Sequence, residues 1–470
     1  CFKASNGDIE NAPALDALPS FKLSERNGSV YINGDHDSII SSRRKPNIKI
    51  SHVVGDEKLV IIGGGSAGLT TMETLRGNGF LGLITMISNE GYLPIDRTKL
   101  SKALIDDSSK IALRDESWYK HGSVEIIEDE VIGVDFSTRQ VFIKKGDPHT
   151  YTKLVLACGS TPKILSTPGF KELDGIFALR NVHHTKAINK ALGSKNKNIV
   201  IIGSSFIGLE IANAVAKENH VTVVSTEQTP LGHILGDKVG QLIRKSFENK
   251  GVTFYLSSQI ERALPSKNDP LSVGKVELKN GTILETDLII LGIGVDPATS
   301  FLKNNSQIKL HGNGYIITDE NFAVPDLPGV YAVGDIAKYP YQGPIGPQNE
   351  SNEGRFIHAG HWNVAQNAGR IAAMNIISSS TKPKPFIPIF WSALGSQLRY
   401  CGTGSFGWDD IILRGDLQNF KFEAYYTKGE TVVAVGTIGY DPIVAHASEL
   451  MRCGIMPSKS DLLNDVDILK

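Results

Sequence analysis

The stretch Lys58-Leu-Val-Ile-Ile-Gly-Gly-Gly-Ser-Ala-Gly-Leu69 constrains this chain more than any other. Leu59, Val60, Ile61 and Ile62 form an unbroken apolar run, the pattern of a strand buried on both faces. The turn Gly63-Gly64-Gly65-Ser66-Ala67-Gly68 follows at once, and Leu69, Met72 and Leu75 then fall at helical spacing. Strand, glycine turn and helix in direct succession make the start of a dinucleotide-binding unit. Gly63 permits the tight turn, Gly65 lets a pyrophosphate approach the backbone, and Gly68 lets the helix pack closely on the strand. The helix N-terminus then faces the phosphate. Asn89 and Glu90 lie roughly 20 residues on, where a ribose-binding acid belongs.

The pattern recurs. Asn198-Ile-Val-Ile-Ile-Gly203 reads as a second buried strand, followed by Ser204-Ser205-Phe206-Ile207-Gly208, a helix from Leu209 to Glu218, and a strand at Val221-Thr-Val-Val224. Asp287-Leu-Ile-Ile-Leu-Gly-Ile-Gly294 reads as the exit strand of that second unit. Around the insertion, Leu83–Ile87 and Lys153–Gly159 are strands and Val141–Ile143 belongs to a hairpin or meander. A helix is expected from about Gly354 to Ile377. Beyond the Pro-rich Thr381–Pro385, Lys421–Tyr426 and Thr431–Val435 alternate as strands around Lys428-Gly429, and a helix over Ala445–Cys453 closes a small α+β domain. Ahead of everything, residues 1–42 form a short segment with a strand at Val30-Tyr31-Ile32. It is too short for a good core of its own. The basic trio Arg43-Arg44-Lys45 reads as a solvated tether.

The expected fold class is therefore α/β: two Rossmann-like units, the second inserted in the first, plus the α+β domain. The divisions are 1–42, a linker at 43–57, a first unit over 58–183 and 315–379, a second over 184–314, and the last domain over 380–470. With 49 basic and 50 acidic residues, a nucleic-acid or anionic-membrane surface is not the main business. No apolar run approaches the roughly 20 residues of a membrane span. Cys1, Cys158, Cys401 and Cys453 form no CxxC, which argues against a zinc site or a redox disulfide and suits a reducing compartment.

Two dinucleotide units in one chain imply two cofactors held face to face. The run Thr318…Val330-Tyr-Ala-Val-Gly334-Asp335 resembles the second flavin signature of FAD-dependent pyridine-nucleotide oxidoreductases. Leu93-Pro-Ile-Asp-Arg97-Thr-Lys-Leu-Ser-Lys102, Gly360-His361-Trp362, Phe390-Trp391-Ser392 and Tyr440-Asp441-Pro442 resemble segments of apoptosis-inducing-factor-like oxidoreductases and ferredoxin reductases. Cys1-Phe2, Gly7-Asp8-Ile9-Glu10, Ala12-Pro13, Leu18 and Phe21 resemble the second half of a Rieske domain, which points to the Rieske-linked subgroup. A Rieske cluster needs two His and two Cys ligands. In the family those precede the position matching Cys1, so the resemblance assigns a 2Fe–2S cluster to a full-length parent and no metal ligand to this chain.

The resemblance implies roles residue by residue. Gly63, Gly65 and Gly68 cradle the FAD pyrophosphate, and Val131 makes a backbone contact on the adenine side. Arg97, Lys102, Arg180 and Asp335 are further FAD contacts, with Lys102 near the isoalloxazine, where positive charge favours the anionic reduced flavin. Trp362 and Trp391 wall the flavin beside His361. Gly203, Gly208 and Gly294 belong to the NAD unit. Glu210 matches the glutamate beside the nicotinamide, often paired with the lysine at Lys102, and Glu227 matches an acid for the NAD ribose.

The chain departs from the family at four places. Asn89 stands where an acid usually takes the FAD ribose, with Glu90 next door. Ser205 replaces the middle glycine of the second turn, where its Cβ intrudes on the pyrophosphate's approach. Ser225 replaces the strand-end acid, which shifts that role to Glu227. Gly360 replaces a glutamate.

The function implied is an FAD-dependent NADH oxidoreductase, with Glu210 and Lys102 as catalytic residues. Its electrons go to a one-electron acceptor: the parent's own Rieske cluster, a ferredoxin or a quinone. The segment Ser225–Pro230 is acidic and holds no base, so NADH is expected over NADPH. The family suggests mitochondrion or cytoplasm and admits a homodimer. The alternative is a cell-death effector with a redox-sensing flavin, for which the sequence offers no basic stripe or interaction tail.

Overall fold

The computed structural model describes residues 2–50, 52–193, 195–345 and 355–470. Cys1, quoted in the Rieske resemblance, and Gly354, the expected helix start, lie outside them; residues 355–361 are not helical, and the helix expected from about Gly354 begins instead at Trp362.

The apolar run Leu59–Ile62 is buried, and Lys58–Ile62 is the central strand of a five-stranded parallel sheet. The order is Val330–Ala332, Lys153–Leu156, Lys58–Ile62, Leu83–Ser88, Val124–Glu128. Val60 sits opposite Thr85 on one side and Leu154 on the other. The helix Ser66–Gly77 follows the glycine turn and turns Leu69, Met72 and Leu75 inward, all at or below 1% exposure. It packs against Trp362–Ile377, a helix lined by Ala365, Ala368, Gly369, Ala372 and Ala373. A Cβ on Gly369 would lie 2.4 Å from the Ala67 carbonyl oxygen, so small residues here set how close the two helices come.

The second sheet repeats the first. Its parallel order is Ile176–Ala178, Leu288–Leu291, Asn198–Ile202, His220–Val224, Thr253–Tyr255. The helix after its turn is Phe206–Val215, starting and ending three residues earlier than the sequence suggests. Each unit also carries a three-stranded antiparallel meander, Val131–Asp135, Gln140–Ile143 and His149–Thr150 in one, Ile260–Pro265, Val273–Leu278 and Ile283–Glu285 in the other. Ile176–Ala178 precedes residue 183 yet pairs with Leu288–Leu291 of the second sheet. The chain passes between the units through an antiparallel ribbon in which Ser160–Pro162 pairs with Val295–Pro297.

The last sheet is antiparallel, in the order Ile389–Ala393, Gln397–Gly402, Thr431–Ile438, Phe422–Lys428, Asp410–Arg414, with Ile443–Cys453 packed on it. Among the described residues no helix is long and apolar enough to cross a membrane.

The N-terminal segment holds an exposed hairpin, Leu23–Arg26 with Ser29–Ile32, and a short helix, His36–Ser41, capped by Asp35. Arg44 corrects the reading of a solvated tether. Its guanidinium pairs with Asp8 at 2.7 Å and donates to the carbonyls of Leu18 and Asn6, which folds the segment back on itself. The segment is fastened to the first unit by buried groups. Ala12 N–H donates to Asn367 Oδ1 at 3.0 Å, and Arg114 pairs with both Asp16 and Glu73 at 2.8 Å. Burial pushes the Glu73 carboxyl up to about 7 even beside Arg114.

Candidate functional site

The first glycine turn divides its labour as the motif demands. Gly63 has φ +116°, and a Cβ there would lie 2.2 Å from the Ala157 carbonyl oxygen. A Cβ on Gly68 would lie 2.3 Å from the Gly63 carbonyl oxygen, so these two glycines serve packing. Gly65 is different: it caps the helix, and a Cβ there meets nothing within 4 Å. Its backbone is open to a ligand. Beside it lies a cavity of about 600 Å³ bordered by Asn89, Glu90, Val131, Cys158 and Ser160. Glu90 is not free within it, being ion-paired with Arg97, which also donates to the Arg180 carbonyl at 3.0 Å. Asn89 is exposed at the cavity's edge.

A second cavity, of about 400 Å³, shares Gly65, Arg97, Ala157, Gly159, Pro162 and Arg180 with the first, so the two are continuous around the turn. It is bordered by Lys102, Glu210, Gly294, Asp335, His361, Trp362 and Trp391. Asp335 accepts from Ser160 Oγ at 2.7 Å and pairs with Arg180 at 3.0 Å. Burial works against its charge, but Arg180 and the Ser160 hydroxyl outweigh it and hold the carboxyl below its ordinary value. Burial pushes His361 down to about 4, so it stands as a neutral ring at physiological pH, stacked on Phe390 at 4.3 Å between centroids. The site thus joins an ionised acid, a neutral imidazole and two tryptophans around an open cleft. Trp391 is the more exposed of the two, at 37%.

Glu210 is the junction of three parts of the molecule. It projects from Phe206–Val215 in the second unit and is 4% exposed. Lys102, from the first unit, lies 3.0 Å from its Oε1 and also donates to the Thr98 carbonyl at 3.1 Å. Ser101 donates to Oε2, while Ser392 Oγ and Ala393 N–H from the last domain donate to Oε1 at 2.7 and 3.2 Å. A buried carboxylate is tolerable when its lone pairs are filled this way. The sequence reading named Lys102, Glu210 and Asp335 and missed Ser101 and Ser392 as supports of Glu210 and Ser160 as the support of Asp335. The signal was present: on the strand Ile389–Ala393 alternate residues face opposite sides, so Trp391 in the cleft implies Ser392 turned inward.

The second turn keeps the packing glycines. Gly203 has φ +99° with its Cβ position 2.4 Å from the Gly292 carbonyl oxygen, and a Cβ on Gly208 would lie 2.5 Å from the Gly203 carbonyl oxygen. Ser205 does more than intrude. Its Oγ folds back to accept from Gly208 N–H at 3.3 Å and caps the helix. Ser225 closes the strand end, accepting from Ser204 Oγ at 2.8 Å and from Glu227 N–H at 3.2 Å. Glu227 Oε1 lies 2.7 Å from His233 Nδ1, and among the described residues its Oε2 is buried without a partner, an acceptor short of a donor. Gly203, Gly208, Gly68 and Glu227 border neither cavity; the others named from sequence border one or both.

These features fit a flavin dinucleotide and a nicotinamide dinucleotide: an open Gly65, two continuous cavities, and an orphaned acid oxygen in the second unit. Comparison with known proteins agrees. The model of the pyridine nucleotide-disulphide oxidoreductase family matches residues 57–371. Apoptosis-inducing factor 3 of Homo sapiens is 35% identical over 97% of this chain and 73% of its own length. Rubredoxin-NAD(+) reductase of Pseudomonas putida is 28% identical over 81% of this chain and 95% of its own. The solved complex of putidaredoxin reductase with putidaredoxin shares the fold, with a TM-score of 0.78 at 24% identity over 88% of this chain and 99% of that one. This chain belongs to the pyridine nucleotide-disulphide oxidoreductase family, as an apoptosis-inducing-factor-like oxidoreductase that uses FAD and NAD(H).

Proposed function

We propose that the protein oxidises NADH in preference to NADPH and hands the electrons singly to an iron–sulfur acceptor of the ferredoxin type. The observation that carries this is the Lys102–Glu210 pair at 3.0 Å, held by three further donors where the two dinucleotide units meet. Bound FAD supplies the step that accepts a hydride from a nicotinamide and releases electrons one at a time. The chain's own residues do the rest. Glu210 offers a fixed carboxylate to orient the carboxamide, Lys102 brings positive charge to the cleft, and the tryptophans and His361 shield it from water. Glu227 meets the ribose hydroxyls and repels a 2′-phosphate. The ferredoxin-type acceptor is supported by relatives whose names pair them with rubredoxin and ferredoxin. The resemblance of the N-terminal segment to half of a Rieske domain supports the same class of acceptor.

Anaerobic NADH titration of the purified protein, followed through its visible spectrum, tests this. NADH should bleach the flavin bands, NADPH should do so more slowly, and Glu210→Gln should slow bleaching while the flavin stays bound. A purified protein without flavin bands, or one indifferent to NADH, would overturn it.

A further inference from the structure

Glu227 presents two unlike oxygens. Oε1 lies 2.7 Å from Nδ1 of His233, whereas Oε2 is buried without a hydrogen-bond partner among the described residues. A buried acceptor lacking a donor is costly, and a hydroxyl donor brought to this oxygen would relieve that cost. The main chain of Glu227 is pinned on both sides. Its N–H donates to Ser225 Oγ at 3.2 Å, and its carbonyl accepts from Ser257 N–H at 2.9 Å. With the backbone fixed, the side-chain torsions alone decide where Oε2 points. His233 grips the other oxygen and so governs those torsions. It comes from a different element, as the second residue of the helix Gly232–Glu248, which begins after Leu231 in a left-handed conformation.

We propose that His233 is a positioning residue that sets the choice between NAD and NADP: by holding Oε1 it turns Oε2 toward the hydroxyls of the adenosine ribose. The inference rests on the NADH preference proposed above and names the group that enforces it. A ribose diol brings O–H donors that the orphaned oxygen can accept, while a 2′-phosphate brings negative charge that the same oxygen repels. Both effects depend on Glu227 staying in place. Freed from His233, its carboxylate can swing into water, where it neither binds the diol nor opposes the phosphate. The His233 side chain is 64% exposed, and a polar contact that open to water contributes little to stability. A merely structural His233 would therefore leave nucleotide discrimination untouched.

The test is calorimetric titration of the oxidised, FAD-loaded protein with NAD⁺ and with NADP⁺, in the wild type, His233→Ala and His233→Asn. In His233→Ala, NAD⁺ should bind on the order of tenfold more weakly, NADP⁺ no more weakly, and the thermal midpoint should hold. His233→Asn keeps an N–H donor for Oε1 and should recover most of the loss. Equal changes for the two nucleotides, no change, or an asparagine variant that behaves like alanine would overturn the proposal. A wild type that binds both nucleotides alike would overturn the NADH preference together with it. A wild-type preference that survives in His233→Ala would overturn the role of His233 alone.

Discussion

The two glycine turns share a scaffold and differ where a ligand would touch. In both, the first glycine lies against a carbonyl of the neighbouring exit strand, at 2.2 and 2.4 Å for a hypothetical Cβ, and the last lies against the first, at 2.3 and 2.5 Å. Those positions answer to the fold. The middle position answers to the ligand: Gly65 is open, whereas Ser205 spends its hydroxyl on Gly208 N–H. The helices that follow differ in the same way. Ser66–Gly77 buries Glu73 against Arg114, and burial raises that acid toward neutrality. Phe206–Val215 buries Glu210 among donors from two other parts of the molecule, the first unit and the last domain. Equal folds therefore hold two buried acids in unlike surroundings, and the difference lies in the partners each is given.

The largest expected effect separates ligand from scaffold in the first turn. Gly65→Val should weaken FAD on the order of a thousandfold, about 4 kcal/mol, while the flavin-free protein keeps its circular dichroism and its denaturant midpoint. If Gly65→Val unfolds the protein, the middle position is scaffold after all and the comparison breaks. Next is Gly63→Ala. It places a methyl against a backbone carbonyl at positive φ and should cost on the order of 3 kcal/mol in urea unfolding whether or not flavin is present. A stability loss seen only with flavin bound would contradict the packing role.

Ser205→Gly sharpens the comparison from the other turn. Glycine at an N-cap costs only a few tenths of a kcal/mol relative to serine. In return the substitution releases Gly208 N–H and clears the pyrophosphate's approach. NADH should bind several-fold tighter, by up to about tenfold, read as a lower dissociation constant in stopped-flow flavin reduction, with the limiting rate unchanged. Weaker binding would make the Ser205 hydroxyl a phosphate ligand.

The smallest effect concerns Glu73. Its carboxyl in the folded protein titrates near 7, above its ordinary 4.5, so the native state keeps a proton that the unfolded chain has released. The stability this contributes is complete below about pH 4.5 and is lost as pH rises through 7. The thermal midpoint should therefore fall by a few degrees between pH 5 and pH 8. Glu73→Gln should flatten that fall. An unchanged pH slope in the variant would show that Glu73 is ionised throughout.

The parts of this molecule legible in its sequence are those in which neighbours along the chain do the work. The strands Lys58–Ile62 and Asn198–Ile202, and the packing glycines after them, follow from a local pattern of a few residues. The second meander, Ile260–Pro265 to Ile283–Glu285, escaped notice because its strands alternate weakly and are half-buried. The serines around Glu210 escaped because each comes from a different part of the chain, and a hydroxyl carries no signal until the fold brings it to an acid. His233 escaped more narrowly. The acidic stretch ends at Pro230, and the imidazole that meets Glu227 lies just beyond, across the bend at Leu231. Arg44 misled for the opposite reason: a run of exposed basic residues looks solvated until backbone carbonyls come within its reach.

The ribbon of Ser160–Pro162 and Val295–Pro297 has a mechanical consequence. Both ends of the inserted unit leave through the same pair of short strands, so the unit hangs from one side, as a door hangs from its frame. A second attachment is Glu210, gripped by Ser392 and Ala393 of the last domain and by Ser101 and Lys102 of the first unit. A nicotinamide that meets this carboxylate therefore meets a group already fastened to three parts of the molecule.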